Sequence, residues 1–342
     1  MTVNAIPPGP PVAAGVFPGL TGPGVSLAST PKDVVLRDGT ASLYRFRARP
    51  GGATKPAVLL VPSMINRWYV LDLRSGASLC EALVAEGFDV FCLDWGIAED
   101  EDRYLTWDDV LARLARMARA ARRTARASKL GLLGYCMGGT LAAIHAALHP
   151  EEIAALVNLA GPFDFSKAGF LGTMTDPRWF DPEAITQAGN LGASQMQSGF
   201  SALRPTAAMA KWVGLLDRMH DPAARQGFEA LETWAGDNIP FPGAAYVTYI
   251  QDLYQKNALL AGEHRVAGKP VRLSDITCPV LAIAAERDTI CPLASARALL
   301  DAVGSSDKRL LTVPGGHVGA VVGSKAKSML YPGIAKFWEE TL

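Results

Sequence analysis

Six short apolar runs recur along the chain, at 57–61, 89–95, 130–133, 156–159, 280–285 and 310–313, and helical patterns separate most of them. The first, Ala57-Val58-Leu59-Leu60-Val61, is apolar at every position, as a strand covered on both faces requires. Strands alternating with helices build a parallel sheet with right-handed crossovers, so an α/β, doubly wound, mostly parallel sheet is expected. One intervening helix opens on a capping box, Thr106 to Asp109, and carries Val110, Leu111, Leu114 and Met117 on one face. Its basic residues Arg113, Arg116, Arg119, Arg122, Arg123 and Arg126 share that helix with the apolar stripe. They are expected on a solvated outer face rather than around an anionic ligand.

Upstream, segments 34–36 and 42–46 flank Asp38-Gly39, a dipeptide whose easy positive φ suits a hairpin turn. The ordered domain is expected to begin there, after a flexible Pro/Gly-rich lead at 1–32. That lead lacks a basic start and its apolar residues are broken by prolines, so it fits neither a signal peptide nor a transit peptide. No stretch of about 18 apolar residues free of charge, Pro or Gly occurs, which argues against a membrane span. Between Pro162 and Ile276 the alternation stops. A mostly helical cap at 164–276 is expected over the carboxyl edge of the sheet, where ligands bind, inserted into a core formed by 33–163 and 277–342. The aromatic residues of this segment, Trp179, Trp212, Trp234, Tyr246, Tyr249 and Tyr254, are expected to form the cap's own core.

Lys+Arg 33 and Asp+Glu 33 cancel, so no global field favours nucleic acid or an anionic membrane, and a small molecule is the expected partner. The five cysteines, Cys80, Cys92, Cys136, Cys278 and Cys291, form no CxxC pair and are odd in number. Neither a disulfide framework nor a zinc site is signalled, and free thiols fit a reducing, cytoplasmic compartment.

One cysteine stands apart. Gly134-Tyr135-Cys136-Met137-Gly138-Gly139 follows the run 130–133 and opens a helical run at 137–148. Strand, Gly-x-Cys-x-Gly-Gly, helix is the context of the nucleophile elbow of α/β hydrolases, with cysteine in place of serine. The helix N-terminus favours thiolate, and the Met137 N–H is suited to meet a developing oxyanion. In this fold the acid and then the base follow on loops after later strands. Asp288 stands just beyond the run 280–285, and His317 just beyond 310–313, in Pro314-Gly315-Gly316-His317. Asp164 is the rival acid, and Asp94 is expected to satisfy loop hydrogen bonds. His145, His149, His220 and His264 are expected to be surface or packing residues. The second oxyanion donor comes from the loop after the early central strand, where the Ile65 N–H is the candidate.

These residues resemble a specific family, the polyhydroxyalkanoate synthases, and particularly the catalytic subunit of the two-subunit class III type. The likeness rests on residues 65–73 (INRWYVLDL), Leu93-Asp94-Trp95-Gly96, the elbow, Leu203-Arg204-Pro205, residues 252–257 (DLYQKN) and residues 314–319 (PGGHVG). The elbow alone is less specific, since dienelactone hydrolases resemble it too. The resemblance implies an acyltransferase that polymerises (R)-3-hydroxyacyl-CoA, with Cys136 carrying the growing chain, His317 as general base and Asp288 as its partner. It implies no cofactor beyond the CoA thioester substrate, a homodimer formed through the cap, a non-catalytic partner subunit suggested by the short lead, and work at the polyester granule surface. One departure is visible: Thr289 follows Asp288 where the family commonly has His. Two alternatives stay open, a cysteine-type hydrolase (an intracellular polyester depolymerase or thioesterase) and an inactive granule-binding homologue.

Overall fold

The computed structural model describes residues 25–202 and 221–342. Most of the lead, Leu203-Arg204-Pro205, Trp212 and His220 lie outside the described residues. The core is an eight-stranded sheet. Its strands are β1 (Lys32–Asp38), β2 (Ala41–Phe46), β3 (Ala57–Val61), β4 (Asp89–Asp94), β5 (Leu130–Tyr135), β6 (Ile153–Leu159), β7 (Val280–Ala285) and β8 (Lys308–Val313). They lie in the order β1-β2-β4-β3-β5-β6-β7-β8. The β1–β2 and β2–β4 pairs are antiparallel, and every later neighbour is parallel.

The parallel strands are apolar throughout because helices cover both faces. Alternate residues of β3 divide between them: Leu59 and Val61 pack with Leu114 and Met117 of the helix Trp107–Ala125. Val58 and Leu60 pack with Phe88, Phe337 and Trp338 on the other face. The edge strand β8 alternates between exposed and covered positions until Val313, so its charged start at Lys308 and Arg309 carries no apolar signal, and the apolar run marks only its second half.

The capping box is formed, with Asp109 N–H donating to Thr106 Oγ1 at 3.2 Å and Thr106 N–H to Asp109 Oδ2 at 3.0 Å. The basic tract behind it is not wholly solvated. Arg113 is buried over the hairpin turn, 4.0 Å from Asp38, while Arg116 donates to the same carboxylate at 2.6 Å. A guanidinium that ties the β1–β2 turn to the helix corrects the expectation of a purely outer face.

Between β6 and β7 the described chain forms the helices Phe170–Met174, Pro182–Thr186, Ala193–Ala202, Pro222–Gly236 and Gly243–Thr248. The last runs directly into a π-helical segment, Tyr249–Gln255. Residues 65–73 anchor the loop after β3 to this region. Tyr69 OH donates to Asp237 Oδ2 at 2.7 Å, Trp234 Nε1 donates to the Arg67 carbonyl at 2.9 Å, and Asn66 pairs with Asn238. Among the described residues, no helix is long and apolar enough to cross a membrane.

Candidate active site

At the end of β5 the chain reverses within one residue. Cys136 adopts φ 56° and ψ −131°, and the helix Met137–Leu148 begins immediately after it. A side chain held at positive φ costs about 1–3 kcal/mol, and here the strain turns the half-buried thiol out of the sheet. The glycines make the turn possible by admitting backbone where a Cβ would sit. A Cβ on Gly134 would stand 2.1 Å from the Gly138 carbonyl oxygen, and one on Gly138 would stand 2.1 Å from that of Val61. The Cys136 N–H donates to the Leu159 carbonyl at 2.9 Å, fixing the elbow to β6.

Loops after β7 and β8 bring the other two residues together. Backbone bonds hold the loops against each other, Glu286 N–H to the Val313 carbonyl at 3.0 Å and Arg287 N–H to that of Gly315 at 2.8 Å. Asp288 Oδ1 accepts from the N–H groups of Ile290 and Cys291, both at 2.8 Å, leaving Oδ2 to meet His317 Nδ1 at 2.7 Å. Both side chains are buried, and the Tyr135 ring stacks on the imidazole at 5.3 Å between centroids. Thr289 is exposed. The aspartate is therefore oriented by backbone donors, and the unusual residue beside it takes no part in that geometry.

Burial opposes a charge on His317, but the thiolate charge of Cys136, with hydrogen bonding and charge from Asp288, outweighs it and raises the imidazole to about 10. Nε2 is buried without a well-formed hydrogen bond. The thiol is thus near enough to act on the ring by charge and hydrogen bonding although Nε2 has no partner of good geometry, a looseness common in sites without substrate.

The rival residues are engaged elsewhere. Asp164 holds Ser166 Oγ at 2.5 Å, Lys167 Nζ at 3.0 Å and Asn257 Nδ2 at 3.1 Å. Asp94 accepts from the Gly96 N–H at 2.9 Å and from Tyr44 OH at 3.1 Å. His264 accepts from Trp107 Nε1 at 3.1 Å. His145 is buried, and desolvation, with the charges of His149 and Arg122, lowers it to about 3. Donor atoms of His149, Glu151 and Glu152 lie within 4.8 Å of one another at the far end of the elbow helix, but Arg122 already occupies Glu152 at 2.5 Å.

Of the two oxyanion candidates, Met137 is the first residue of the elbow helix, where N–H groups have no intrahelical partner. The Ile65 N–H, by contrast, donates to Ser63 Oγ at 3.1 Å. The sequence reading did not foresee that this hydroxyl engages the amide.

Cys136 opens on a cavity of about 460 Å³. Its wall is mainly apolar, with Ile65 on the core side and Leu171, Met174, Phe180, Leu191 and Phe241 among the cap residues. Tyr246, Tyr249 and Tyr254 also line it, which corrects the expectation that these aromatics only fill the cap's core. Trp234 instead joins the cluster of Trp68, Tyr69 and Leu73 after β3, and Trp179 is exposed. A usable signal lay in the spacing. Tyr249 and Tyr254 are five residues apart, a step that an α-helix throws to different sides and that i→i+5 bonding brings back toward one.

Comparisons with known proteins agree with this architecture. The family model for the alpha/beta hydrolase fold matches residues 56–324, and that for the poly-beta-hydroxybutyrate polymerase (PhaC) N-terminus matches 22–83. Among solved structures, a hydrolase from Pseudomonas aeruginosa PA01 superposes with a TM-score of 0.56 at 19% identity, covering 90% of this chain and 97% of that one. A putative lipase from Sulfolobus solfataricus gives 0.58 at 14% identity, covering 90% and 99%. At such identities the likeness concerns the fold alone. The poly(3-hydroxyalkanoate) polymerase subunit PhaC of Allochromatium vinosum is 32% identical over 316 residues, 91% of this chain and 89% of that protein. That of Synechocystis is 31% identical, covering 94% and 88%. That of Haloferax mediterranei is also 31% identical, and the chain spans 92% of itself but 65% of that longer protein. An elbow cysteine facing a capped apolar cavity thus occurs in a chain that belongs to the polyhydroxyalkanoate synthase (PhaC) family, built on the α/β-hydrolase fold.

Proposed function

We propose that this protein is a polyhydroxyalkanoate synthase that polymerises (R)-3-hydroxyacyl-CoA through an acyl group held on Cys136, releasing CoA. The observation that carries the reading is the elbow thiol, half-buried beside the Asp288–His317 pair and open to an apolar cavity, in a chain of this family. In the first half-reaction the thiol proton rests on His317, and Cys136 sulfur attacks the thioester carbonyl as thiolate. The tetrahedral oxyanion is met by the Met137 N–H and by the Ile65 N–H once it leaves Ser63 Oγ. Collapse expels CoA sulfur, which recovers the proton from His317. One thioester replaces another at little net free-energy change, so the acyl group stays activated. In the second half-reaction His317 takes the proton of a 3-hydroxyl and the alkoxide oxygen attacks an enzyme-bound or incoming thioester; the carbonyl carbon–sulfur bond breaks, and the expelled thiolate, of Cys136 or of CoA, recovers the proton from His317. Asp288 holds the imidazole in the tautomer and orientation that both steps need.

An apolar wall favours alcohol over water as acceptor, which is what separates this activity from hydrolysis by the same three residues. The reaction needs no cofactor. A homodimer formed through the cap, a non-catalytic partner subunit and a place at the granule surface belong to the same reading, supported by the likeness to two-subunit synthases. Incubation with 3-hydroxybutyryl-CoA tests it. Insoluble polyester with CoA release is expected, whereas stoichiometric free 3-hydroxybutyrate without polymer identifies a hydrolase, and no turnover with or without a partner subunit identifies an inactive homologue.

A further inference from the structure

The polar side chains in the cavity wall are few, and half of them bond to nearby backbone. Thr175 Oγ1 donates to the Leu171 carbonyl at 2.8 Å, Ser198 Oγ to that of Ser194 at 2.9 Å, and Gln195 Oε1 accepts from the Gly192 N–H at 2.9 Å. The phenols of Tyr246, Tyr249 and Tyr254 remain. Burial raises all three, and the negative charge of Cys136 adds to that at Tyr249 and Tyr254.

The pair is also the most firmly held. The Tyr249 ring stacks on Trp107 at 5.6 Å and on Phe241 at 6.1 Å, with Phe165 edge-on at 6.3 Å. Tyr254 meets Phe165 at 4.8 Å and Tyr249 at 5.4 Å, both edge-on. Just after Tyr254 the segment is tied down. Gln255 Nε2 donates to the carbonyls of Thr175 and Phe180, both at 3.0 Å, and Asn257 Oδ1 accepts from the Phe165 N–H at 3.0 Å. The Tyr249 ring is buried among its neighbours, whereas Tyr254 is half-buried. Of the pair, Tyr254 is therefore the phenol more open to a group in the cavity that both line with Cys136.

A wall built only to hold hydrocarbon has no use for phenols, since a buried hydroxyl costs free energy unless it finds a partner. We infer that Tyr254, backed by Tyr249, is a specificity-determining residue that donates a hydrogen bond to the oxygen on carbon 3 of the acyl group bound to Cys136. The inference rests on the proposed synthase reading and deepens it. In an apolar cavity, a donor for that oxygen separates a 3-hydroxyacyl thioester from a plain acyl thioester that fits equally well.

The test compares single-turnover CoA release from 3-hydroxybutyryl-CoA and butyryl-CoA by the wild type, Tyr254→Phe and Tyr249→Phe. The wild type is expected to favour the hydroxylated thioester. Tyr254→Phe is expected to slow that substrate roughly tenfold while leaving butyryl-CoA release within about twofold, and Tyr249→Phe to move the ratio the same way by less. A merely structural role slows both substrates together. Equal slowing, an unchanged ratio in both variants, or a wild type without preference overturns the inference while polymer formation leaves the synthase reading standing. A wild type that releases CoA from neither thioester overturns both.

Discussion

The carboxyl edge of the sheet and the cap wall opposite it face the same cavity, yet different constraints hold them. At the edge, three loops after β5, β7 and β8 are fixed by backbone: the Cys136 N–H on Leu159, the Arg287 N–H on Gly315, and Asp288 Oδ1 on two successive amides. Side chains there add chemistry to a frame that already exists. In the cap wall the order is reversed, since rings packed on rings and side-chain amides such as Gln255 set the position of Tyr249 and Tyr254. An edge built this way keeps its geometry whatever substrate enters. A wall built from side chains is the part that substitutions retune.

The largest effect that sharpens this contrast is loss of the proposed base. His317→Ala is expected to lower CoA release roughly 10³- to 10⁴-fold while the chain still folds, because backbone bonds hold the loop frame. A comparable loss of folding would show instead that the ring holds the edge together. Next comes Gly134→Ala. The added Cβ meets the Gly138 carbonyl oxygen at 2.1 Å, so destabilisation of roughly 3 kcal/mol is expected in denaturant unfolding. A stable, active variant breaks the claim that backbone contact defines the elbow.

The raised imidazole yields a smaller, pH-dependent effect. His317 titrates near 10 in the folded chain, above its ordinary 6.5. Its contribution to stability is fully present below the ordinary value and is lost as pH rises through the folded one. The stability advantage of wild type over His317→Asn should therefore shrink between about pH 6.5 and 10, and parallel denaturation curves would contradict it. The smallest effect concerns the odd neighbour. Thr289 is exposed and Asp288 is set by the amides of Ile290 and Cys291, so Thr289→His is expected to change kcat/KM by no more than about twofold. A large change would mean that residue 289 takes part in the site after all.

The same contrast explains what could be read from sequence. The elbow is legible because strand, glycine spacing and helix are contiguous, and the Asp288–His317 contact is legible because each residue trails an apolar run in the order the fold demands. The parallel sheet follows from those runs, though β8 is marked only where its residues turn inward. Arg113 was misread because a pattern along one helix does not reveal that Asp38 lies beneath it. The engagement of the Ile65 amide by Ser63 depends on a rotamer. The tyrosine wall needed a π-helical segment and ring contacts between residues as distant as Trp107 and Tyr249, so the five-residue spacing of Tyr249 and Tyr254 is readable only together with that segment.

The central claim is that a polyester grows on the elbow thiol. The most direct measurement is intact mass and peptide mapping of the wild type and of Cys136→Ala after incubation with 3-hydroxybutyryl-CoA. The account predicts successive 3-hydroxybutyryl increments on the peptide containing Cys136, with polymer formed, and neither in the variant. An unmodified Cys136 with free 3-hydroxybutyrate accumulating, or equal labelling of the variant, would contradict it.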